Sequence, residues 1–382
     1  MTDASGEVPG RVTDAGLDWL DASGAHADVV LSTRIRLARN IQGHAFGRRA
    51  RVADRREVLR LVKEGVGRVV PLLGAEVREM ATMPPRSNRI LLERRIASRE
   101  LLASPDGVGG KECAVVLPPA SPLSVMVNEE DHLRLQVLVS GLDLKEAWNR
   151  VDLLDDELGQ HLPYAFHPEF GFLTSCPTNV GTGLRASVLL HLPGLVLMKE
   201  IGKVLQGLSQ MGLTYRGLHG EGSEVVGNFF QISNQTTLGK SEEDLVDHLD
   251  QVVREVIRHE MKAREILLRD AAGVTEDKVW RAYGLLRYAR SLSFEELMNL
   301  LSGVRLGASL KLLPGLRVYP LNRIMIFAQP AHLEEAAGRV LSPVEEEVHR
   351  AAYVRRILER DGAIPPDAPG TFPEAPPTAP AA

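Results

Sequence analysis

An α+β fold, with a largely antiparallel sheet flanked by helices and a smaller helical domain behind it, is what this 382-residue sequence predicts. Three observations carry the prediction. Between residues 29 and 262 short β-like runs alternate with helical ones. One pair of runs closes around Pro118-Pro119-Ala120-Ser121-Pro122, a hairpin signal that a parallel sheet does not give. Beyond residue 263 the apolar spacing is helical almost throughout.

Taken in order, the first 28 residues are rich in Gly, Ala and Asp and read as a loose leader with one short helix at Leu17–Leu20. Strands are expected at Val29–Ile35, Cys113–Leu117, Leu123–Val127, Gly171–Cys176, Leu213–Leu218 and Val225–Ile232. Asn128-Glu129-Glu130-Asp131-His132 reads as a helix start, with Asn128 as N-cap, acids in the first turn and Arg134 one turn in. Three carboxylates directly after an apolar strand would nevertheless set Glu129 and Glu130 at the inner end of the sheet. Ser241 caps a long helix whose first turn carries Glu242, Glu243 and Asp244. Its apolar face runs Leu245, Leu249, Val252, Val253, Val256 and Ile257. Phe294, Leu297, Met298, Leu300 and Leu301 pack one later helix; Val348, Ala352, Val354 and Ile357 pack another. The last 22 residues hold 7 prolines and read as disordered. The expected divisions are a leader at 1–28, the main domain at 29–263, a helical domain at 264–360 and a tail at 361–382.

Composition narrows the function. With 45 basic and 50 acidic side chains the formal charge is −5, which argues against a nucleic-acid binder. The first 28 residues lack an apolar core, and Val188–Met198 is broken by His191 and Pro193, so neither a secretory signal nor a membrane span is expected. Two cysteines, Cys113 and Cys176, are too few for a disulfide scaffold or a Cys-rich zinc site. The expectation is a cytoplasmic protein. Of the 45 cations 36 are arginines, a bias that base composition explains as readily as phosphate recognition does, so position has to decide.

Position does single some out. If the first strand extends far enough, alternation puts Arg34 and Arg36 of Ser32-Thr33-Arg34-Ile35-Arg36 on one face. The segment Cys176–Ser187 contains Gly181-x-Gly183-x-x-Ala186, a formal dinucleotide fingerprint, but Pro177 interrupts the strand that such a site requires. Gly239-Lys240-Ser241 imitates the end of a P-loop, yet Asn234 stands where the first glycine belongs. What remains is coherent: Arg34, Arg36, Arg134, Arg185 and Arg216 can cage a triphosphate bridged by Mg2+. Glu130 and Glu221 can face a cationic acceptor, with Cys176 as a thiolate beside it. Phosphate cage, paired carboxylates and thiolate point to phosphoryl transfer onto a guanidinium.

The segments Ser32–Asn40, Asn128–Arg134, Cys176–Ser187 and Arg216-Gly217-Leu218-His219-Gly220-Glu221 resemble the guanido (phosphagen) kinase family over about 230 residues. Three features resemble its bacterial protein-arginine kinase branch: the wording of Cys176–Ser187, the run Gly220–Glu224 continued by Asn228–Gln235, and a main domain that starts near residue 29 and is followed by added helices. The resemblance implies an eight-stranded antiparallel sheet of the guanido kinase / glutamine synthetase-like type, ATP with Mg2+ as donor, and phosphorylation of protein arginines that marks proteins for regulated proteolysis in stress. It places nucleotide contacts on Ser32, Thr33, Arg34, Ile35 and Arg36; on Arg134; on Arg185, Ala186, Ser187, Val188 and Leu189; and on Arg216, Gly217, Leu218, His219, Gly220 and Glu221. Arg95 joins them where relatives often carry a histidine. Glu130 and Glu221 become the guanidinium-facing acids and Cys176 the third catalytic group. Implied partners are a heat-shock transcription repressor as substrate, a zinc-binding activator, an unfoldase–protease and a second copy in a homodimer. Glu346 stands where relatives have the first arginine of a phosphoarginine-binding segment, a like charge to phosphate that argues against such binding here. A metabolite guanidino kinase is the alternative reading, and a non-catalytic phosphoarginine-binding adaptor a second one.

Overall fold

The computed structural model describes residues 17–102, 112–218 and 225–362. Its strands are β1 (Val30–Arg39), β2 (Glu76–Glu79), β3 (Ala114–Leu117), β4 (Leu123–Val127), β5 (Leu133–Ser140), β6 (Phe166–His167), β7 (Gly171–Phe172), β8 (Leu184–His191), β9 (Leu213–Arg216) and β10 (Phe229–Asn234). Eight of them form one sheet in the order β2-β3-β4-β5-β1-β8-β10-β9, every neighbouring pair antiparallel; β6 and β7 make a separate hairpin. The helices are α1 (Val52–Val66), α2 (Pro85–Glu93), α3 (Arg99–Leu102), α4 (Leu144–His161), α5 (Pro193–Leu197), α6 (Ile201–Gln210) and α7 (Glu242–Asp270), then α8 (Ala272–Tyr288), α9 (Phe294–Ser309), α10 (Val318–Phe327), α11 (Pro330–Ala337) and α12 (Pro343–Asp361).

Three sheet strands, β2, β5 and β8, have no counterpart among the expected ones. The expected helix start at Asn128 is instead the turn of the β4–β5 hairpin: Asn128 takes φ +57°, and its N–H donates to the His132 carbonyl at 2.8 Å. Arg134 therefore sits on a strand, opposite Ala38 and Met126, and not on a helix. The run expected as a strand over Gly171–Cys176 is extended sheet only at Gly171–Phe172, because Pro177 opens a 3-10 turn. The long helix forms as expected, with Ser241 Oγ accepting from Asp244 N (3.0 Å) and the Asp244 carboxylate accepting from Ser241 N (3.3 Å). It runs past residue 263 to Asp270 without a break. On α12 the buried residues are Arg350, Ala351, Val354, Ile357 and Leu358, while Val348 is 48 % exposed, so its expected apolar face is turned by part of a turn.

The sheet has two unlike faces. One carries Ile35, Leu37, Leu135, Val137, Ala186, Val188 and Ile232 against α1, α4 and α7, in a core where each buried Val or Leu contributes about 1.5–3 kcal/mol. The other is apolar only at its ends. At one end α2 and α3 cover β3 and β4 through Ile90, Leu91, Ile96, Leu101, Val115 and Met126. At the other, α8, α9, α10 and α12 pack on Leu31, Leu138, Leu189 and Phe229, joined by Trp19 and Leu20. The segment expected to be loose is thus tied in from residue 17 onward, and Asn322 Nδ2 donates to the Leu20 carbonyl at 2.9 Å. Between the two ends the face is open. Among the described residues no helix is long and apolar enough to cross a membrane.

Candidate active site

Antiparallel register assembles the open face from residues far apart in sequence. One row across the strands reads Arg216, Gln231, Leu189, Ser32; the next Ser233, Ser187, Arg34, Leu138; the next Arg185, Arg36, Gln136, Ser124; and the last Ala38, Arg134, Met126. Directly opposed residues share a face, so four strands contribute arginines to one floor. A cleft of 1590 Å³ lies over it, lined by Arg34, Arg36, Arg95, Arg134, Arg185 and Arg216 together with Glu130 and Cys176.

The guanidiniums are differently partnered. Arg34 Nη2 and Arg95 Nη2 both donate to Gln231 Oε1 (3.0 and 2.7 Å), and Arg95 Nη1 donates to Ser32 Oγ at 2.9 Å. Arg36 makes no hydrogen bond or ion pair to any described residue, and the Nε atoms of both Arg34 and Arg36 are buried without a described partner. Burial, then repulsion from neighbouring arginines, pulls the pKa of Arg34 and of Arg36 well below the usual guanidinium range, although the Glu129 carboxylate opposes the fall at Arg36. Arg95 is pulled down by burial to about 10, still charged at neutral pH. Arg134 is the exception. Burial would lower it, but Glu129, Glu130 and Asp131 outweigh that and raise it; Glu129 forms an ion pair with its Nη1. A floor of half-buried guanidiniums, with Arg34 and Arg36 in no ion pair to a described residue, favours a polyanion, and planar donors suit phosphoryl oxygens.

Arg95 reaches the floor through local backbone strain. After α2 the chain takes φ +65° at Arg95, where a glycine is usual, and the Ile96 and Ala97 N–H groups return to the Leu91 carbonyl at 3.0 and 3.1 Å. A non-glycine residue in this conformation costs about 1–2 kcal/mol. The carbonyl of Arg95 is met by Gln136 Nε2 at 3.0 Å, and its guanidinium lies 5.4 Å from the Trp19 ring centre.

The acidic turn is built with equal care. Asn40 bridges it, donating to Asp131 Oδ1 (2.7 Å) and accepting from His132 N (2.9 Å). His132 Nδ1 accepts from Ile41 N (3.0 Å), so the ring proton is on Nε2 and faces the Ala45 carbonyl at 3.0 Å; burial lowers the His132 pKa in keeping with this neutral form. Glu129 is fully buried, held by Arg134 and by Ser98 Oγ. Glu130 is 41 % exposed, 3.4 Å from Arg134, and burial raises its pKa while Arg134 opposes the rise. Of the two neighbours, Glu130 is thus the carboxylate available to a ligand. Asp131 Oδ1 also accepts from Ser175 N (2.7 Å), and Ser175 Oγ donates to the Glu130 carbonyl (2.8 Å), which fastens the Cys176 segment to the acidic turn. Cys176 Sγ is 3.0 Å from Thr178 Oγ1.

The expected contact residues divide by strand alternation. Ser32, Arg34, Arg36, Arg185, Ser187 and Leu189 share the open face, although Leu189 is buried under the C-terminal helices and Ser187 Oγ is 3.4 Å from the Arg34 carbonyl. Ile35, Ala186 and Val188 turn their side chains into the opposite core, and Thr33 is spent on Gly141 O (2.7 Å) and Asp143 N (3.1 Å) at the start of α4. Leu218 lines the cleft and Gly217 lies just after β9. His219, Gly220 and Glu221 fall outside the described residues. Gln136, Gln231 and the buried role of Glu129 are new from the structure. The alternation Arg134-x-Gln136 would have signalled the first, had β5 been recognised. Gly183 (φ +67°) marks the other special position, because a Cβ there would come within 2.6 Å of the Ala38 carbonyl. Among the described residues no three His, Cys, Asp or Glu side chains gather to hold a metal.

The comparisons with known proteins agree with this geometry. Residues 58–263 match the family described as ATP:guanido phosphotransferase, C-terminal catalytic domain, and residues 273–367 match the protein-arginine kinase McsB C-terminal domain. The chain is 47 % identical over 341 residues to the protein-arginine kinase of Moorella thermoacetica, spanning 89 % of this chain and 97 % of that one. It is 46 % identical over 355 residues to that of Symbiobacterium thermophilum, spanning 91 % and 98 %. In fold it resembles lombricine kinase (TM-score 0.54, 24 % identity, 68 % of this chain and 70 % of that one). It also resembles the duplicated taurocyamine kinase of Schistosoma mansoni (TM-score 0.56, 22 % identity, 69 % and 36 %). An arginine-floored cleft on an eight-stranded antiparallel sheet, with both family matches laid end to end along the sequence, makes this chain a member of the ATP:guanido phosphotransferase family, in its protein-arginine kinase branch.

Proposed function

We propose that the protein transfers the γ-phosphoryl group of ATP to arginine side chains of other proteins. The observation that carries this reading is the cleft floor, where Arg34 and Arg36 face a common space without any described carboxylate partner, next to the half-exposed Glu130. Arg34, Arg36, Arg134, Arg185 and Arg216 grip the phosphates and spread the charge of the transferring group, while Arg95 binds the nucleotide. Mg2+ fits this site as an ion carried by phosphate oxygens and water, which needs no protein cluster, and it neutralises phosphate charge when bound. Ser32, Ser187, Gly217, Leu218, His219 and Gly220 complete the nucleotide side.

The acceptor sets the harder requirement. A guanidinium has a pKa near 13, so removing its proton at pH 7.5 costs roughly 7.5 kcal/mol. No ordinary carboxylate bears that before reaction; in a loose transition state the proton leaves late, as the N–P bond forms. Glu130, with its raised pKa, and Glu221 orient the acceptor plane, and one of them takes the proton. Cys176, fastened to the same turn, offers a sulfur beside the acceptor. Replacing Glu130 by Gln should lower kcat by about 10²–10⁴-fold. The base must be ionised, so activity falls as pH drops through the raised Glu130 pKa; the acid limb should lie above the ordinary carboxylate value and vanish in E130Q. Unchanged turnover in E130Q rejects the assignment.

The substrate class is tested by supplying Mg-ATP with a mixed protein acceptor and, in parallel, with free L-arginine, reading the acid-labile phosphoarginine by mass spectrometry. Transfer to protein alone is expected; transfer to free arginine alone would make this a metabolite kinase, and transfer to neither would favour a phosphoarginine-binding adaptor or a missing activator. The wider role belongs to the same proposal: a cytoplasmic enzyme, acting as a homodimer on a heat-shock repressor, with a zinc-binding activator and an unfoldase–protease, in stress-linked proteolysis. So does the division into a catalytic domain at 29–263 and a helical domain at 264–360.

A further inference from the structure

The residue before the Arg95 turn is held by a helix that no reaction step uses. Glu93 sends both carboxylate oxygens to the start of α11, accepting from Ala331 N (2.8 Å), His332 N (3.1 Å) and His332 Nδ1 (2.7 Å). On the other side of the ring His332 Nε2 accepts from Arg94 Nε at 3.2 Å. Those two partners fix a neutral ring with its proton on Nδ1. The grip is broad: Arg86 Nε meets Glu335 at 2.9 Å, Arg89 pairs with Glu334, and Ala331 is buried in the cluster of Ile90, Leu91 and Ile96. Directly after Glu93 and Arg94 comes Arg95, in its strained turn, with its guanidinium in the cleft.

The C-terminal helices also hold the residues just before β10. Gly227 N donates to Asn299 Oδ1 (3.3 Å) and Asn228 Nδ2 to Ser302 Oγ (2.8 Å), both on α9; Ser302 Oγ is also 2.8 Å from His191 Nε2. A Cβ on Gly227 would come within 2.5 Å of the Met298 carbonyl.

We propose that the C-terminal helices are a positioning part of the cleft: α11, through the relay Glu93–His332–Arg94, sets Arg95 against the nucleotide, and His332 is a positioning residue for ATP binding. The inference rests on Arg95 being a nucleotide contact. It accounts for a non-glycine residue being kept in a left-handed turn, since release of the relay frees that turn to relax and withdraw the guanidinium.

The full-length chain is compared as wild type, H332L, H332Q, R95A and the R95A/H332L double variant, by steady-state kinetics against ATP with a protein acceptor and by thermal melting. H332L should raise KM for ATP about tenfold with kcat held within about threefold, and R95A should do the same. The double variant should add less than about twofold to either, because both act through one contact. H332Q, whose amide supplies one donor and one acceptor, should recover most of the affinity. A lowered melting temperature in H332L with unchanged KM overturns the inference, as do additive effects in the double variant. An unchanged KM in R95A overturns it too and removes Arg95 from the nucleotide site, leaving the transfer activity itself untouched. If H332L does not fold, R94Q removes the donor, keeps the Glu93 cap and is read the same way.

Discussion

At the outer end of β1 the Arg39 guanidinium meets Asp155 at 2.6 Å, Glu242 at 3.3 Å, the Thr182 carbonyl at 2.7 Å and the Phe172 ring at 3.6 Å. Three and five residues earlier on the same strand, Arg36 and Arg34 turn to the other face and have no carboxylate partner among the described residues. Burial weakens both guanidiniums there, and only Arg34 has a hydrogen bond, to a neutral amide. Arg264, ion-paired with Glu260 at 2.6 Å beneath α5, follows the Arg39 pattern. A buried cation with its counter-ion built in is architecture, because the protein itself has balanced the desolvation. A half-buried pair such as Arg34 and Arg36, in no ion pair to a described residue, is a receptor, its balance left for a ligand to supply.

The contrast is sharpest in Arg36→Met. Activity should fall about 10²–10³-fold in kcat/KM, as for loss of one preorganised donor, while the melting temperature holds or rises because like-charge repulsion is relieved. A drop in stability at this position would erase the distinction. Arg39→Met should do the reverse, costing about 3–5 kcal/mol in denaturant unfolding by stranding Asp155, with little change in the activity of the folded fraction. Inorganic tripolyphosphate, a bare polyanion, should stabilise the wild type by about 2.7 kcal/mol at a hundred times its Kd, and R36M less at the same concentration. Equal stabilisation of both would show that the anion sits elsewhere. Arg60→Ala on α1 completes the series: Arg60 has two carboxylate partners, Glu57 and Glu64, but its side chain is 52 % exposed, and its loss should leave the melting temperature where it was. A partner without burial contributes little; burial without a partner makes a site.

Much of this was readable in the residues. The interval Leu123–Val127 is the strand that its apolar run predicts, and alternation correctly pairs Arg34 with Arg36. Ser241 begins α7 as its capping pattern requires. β5 was hidden because Asn-Glu-Glu-Asp is also how a helix begins, and only the left-handed backbone at Asn128 tells the two apart. β2 carries Glu76, Arg78 and Glu79, an edge strand whose charges suit its place and conceal its conformation. β8 lay behind the glycine-rich loop before it, and its apolar end, Val188–His191, belongs to a stretch weighed only as a membrane span. The site suffered in proportion: Gln231 and Gln136 carry no chemical signature of their own and matter only because register sets them beside Arg34 and Arg36. The same register explains why a contiguous block such as Arg185–Leu189 cannot serve a cleft with every side chain.

The Trp19 indole, 1 % exposed and stacked near the Arg95 guanidinium, gives the cleft an optical signature. The chain has only two other tryptophans: Trp148 is hydrogen-bonded to Glu242 at the far face of the sheet, and Trp280 lies on α8. A cation moving relative to an indole shifts its emission, so any ligand that shifts the Arg95 guanidinium should report itself in the ultraviolet without a label. Substituting Trp148 and Trp280 by Phe would leave a single chromophore at the edge of the cleft, and nucleotide titrations could then be followed in the unmodified remainder of the protein.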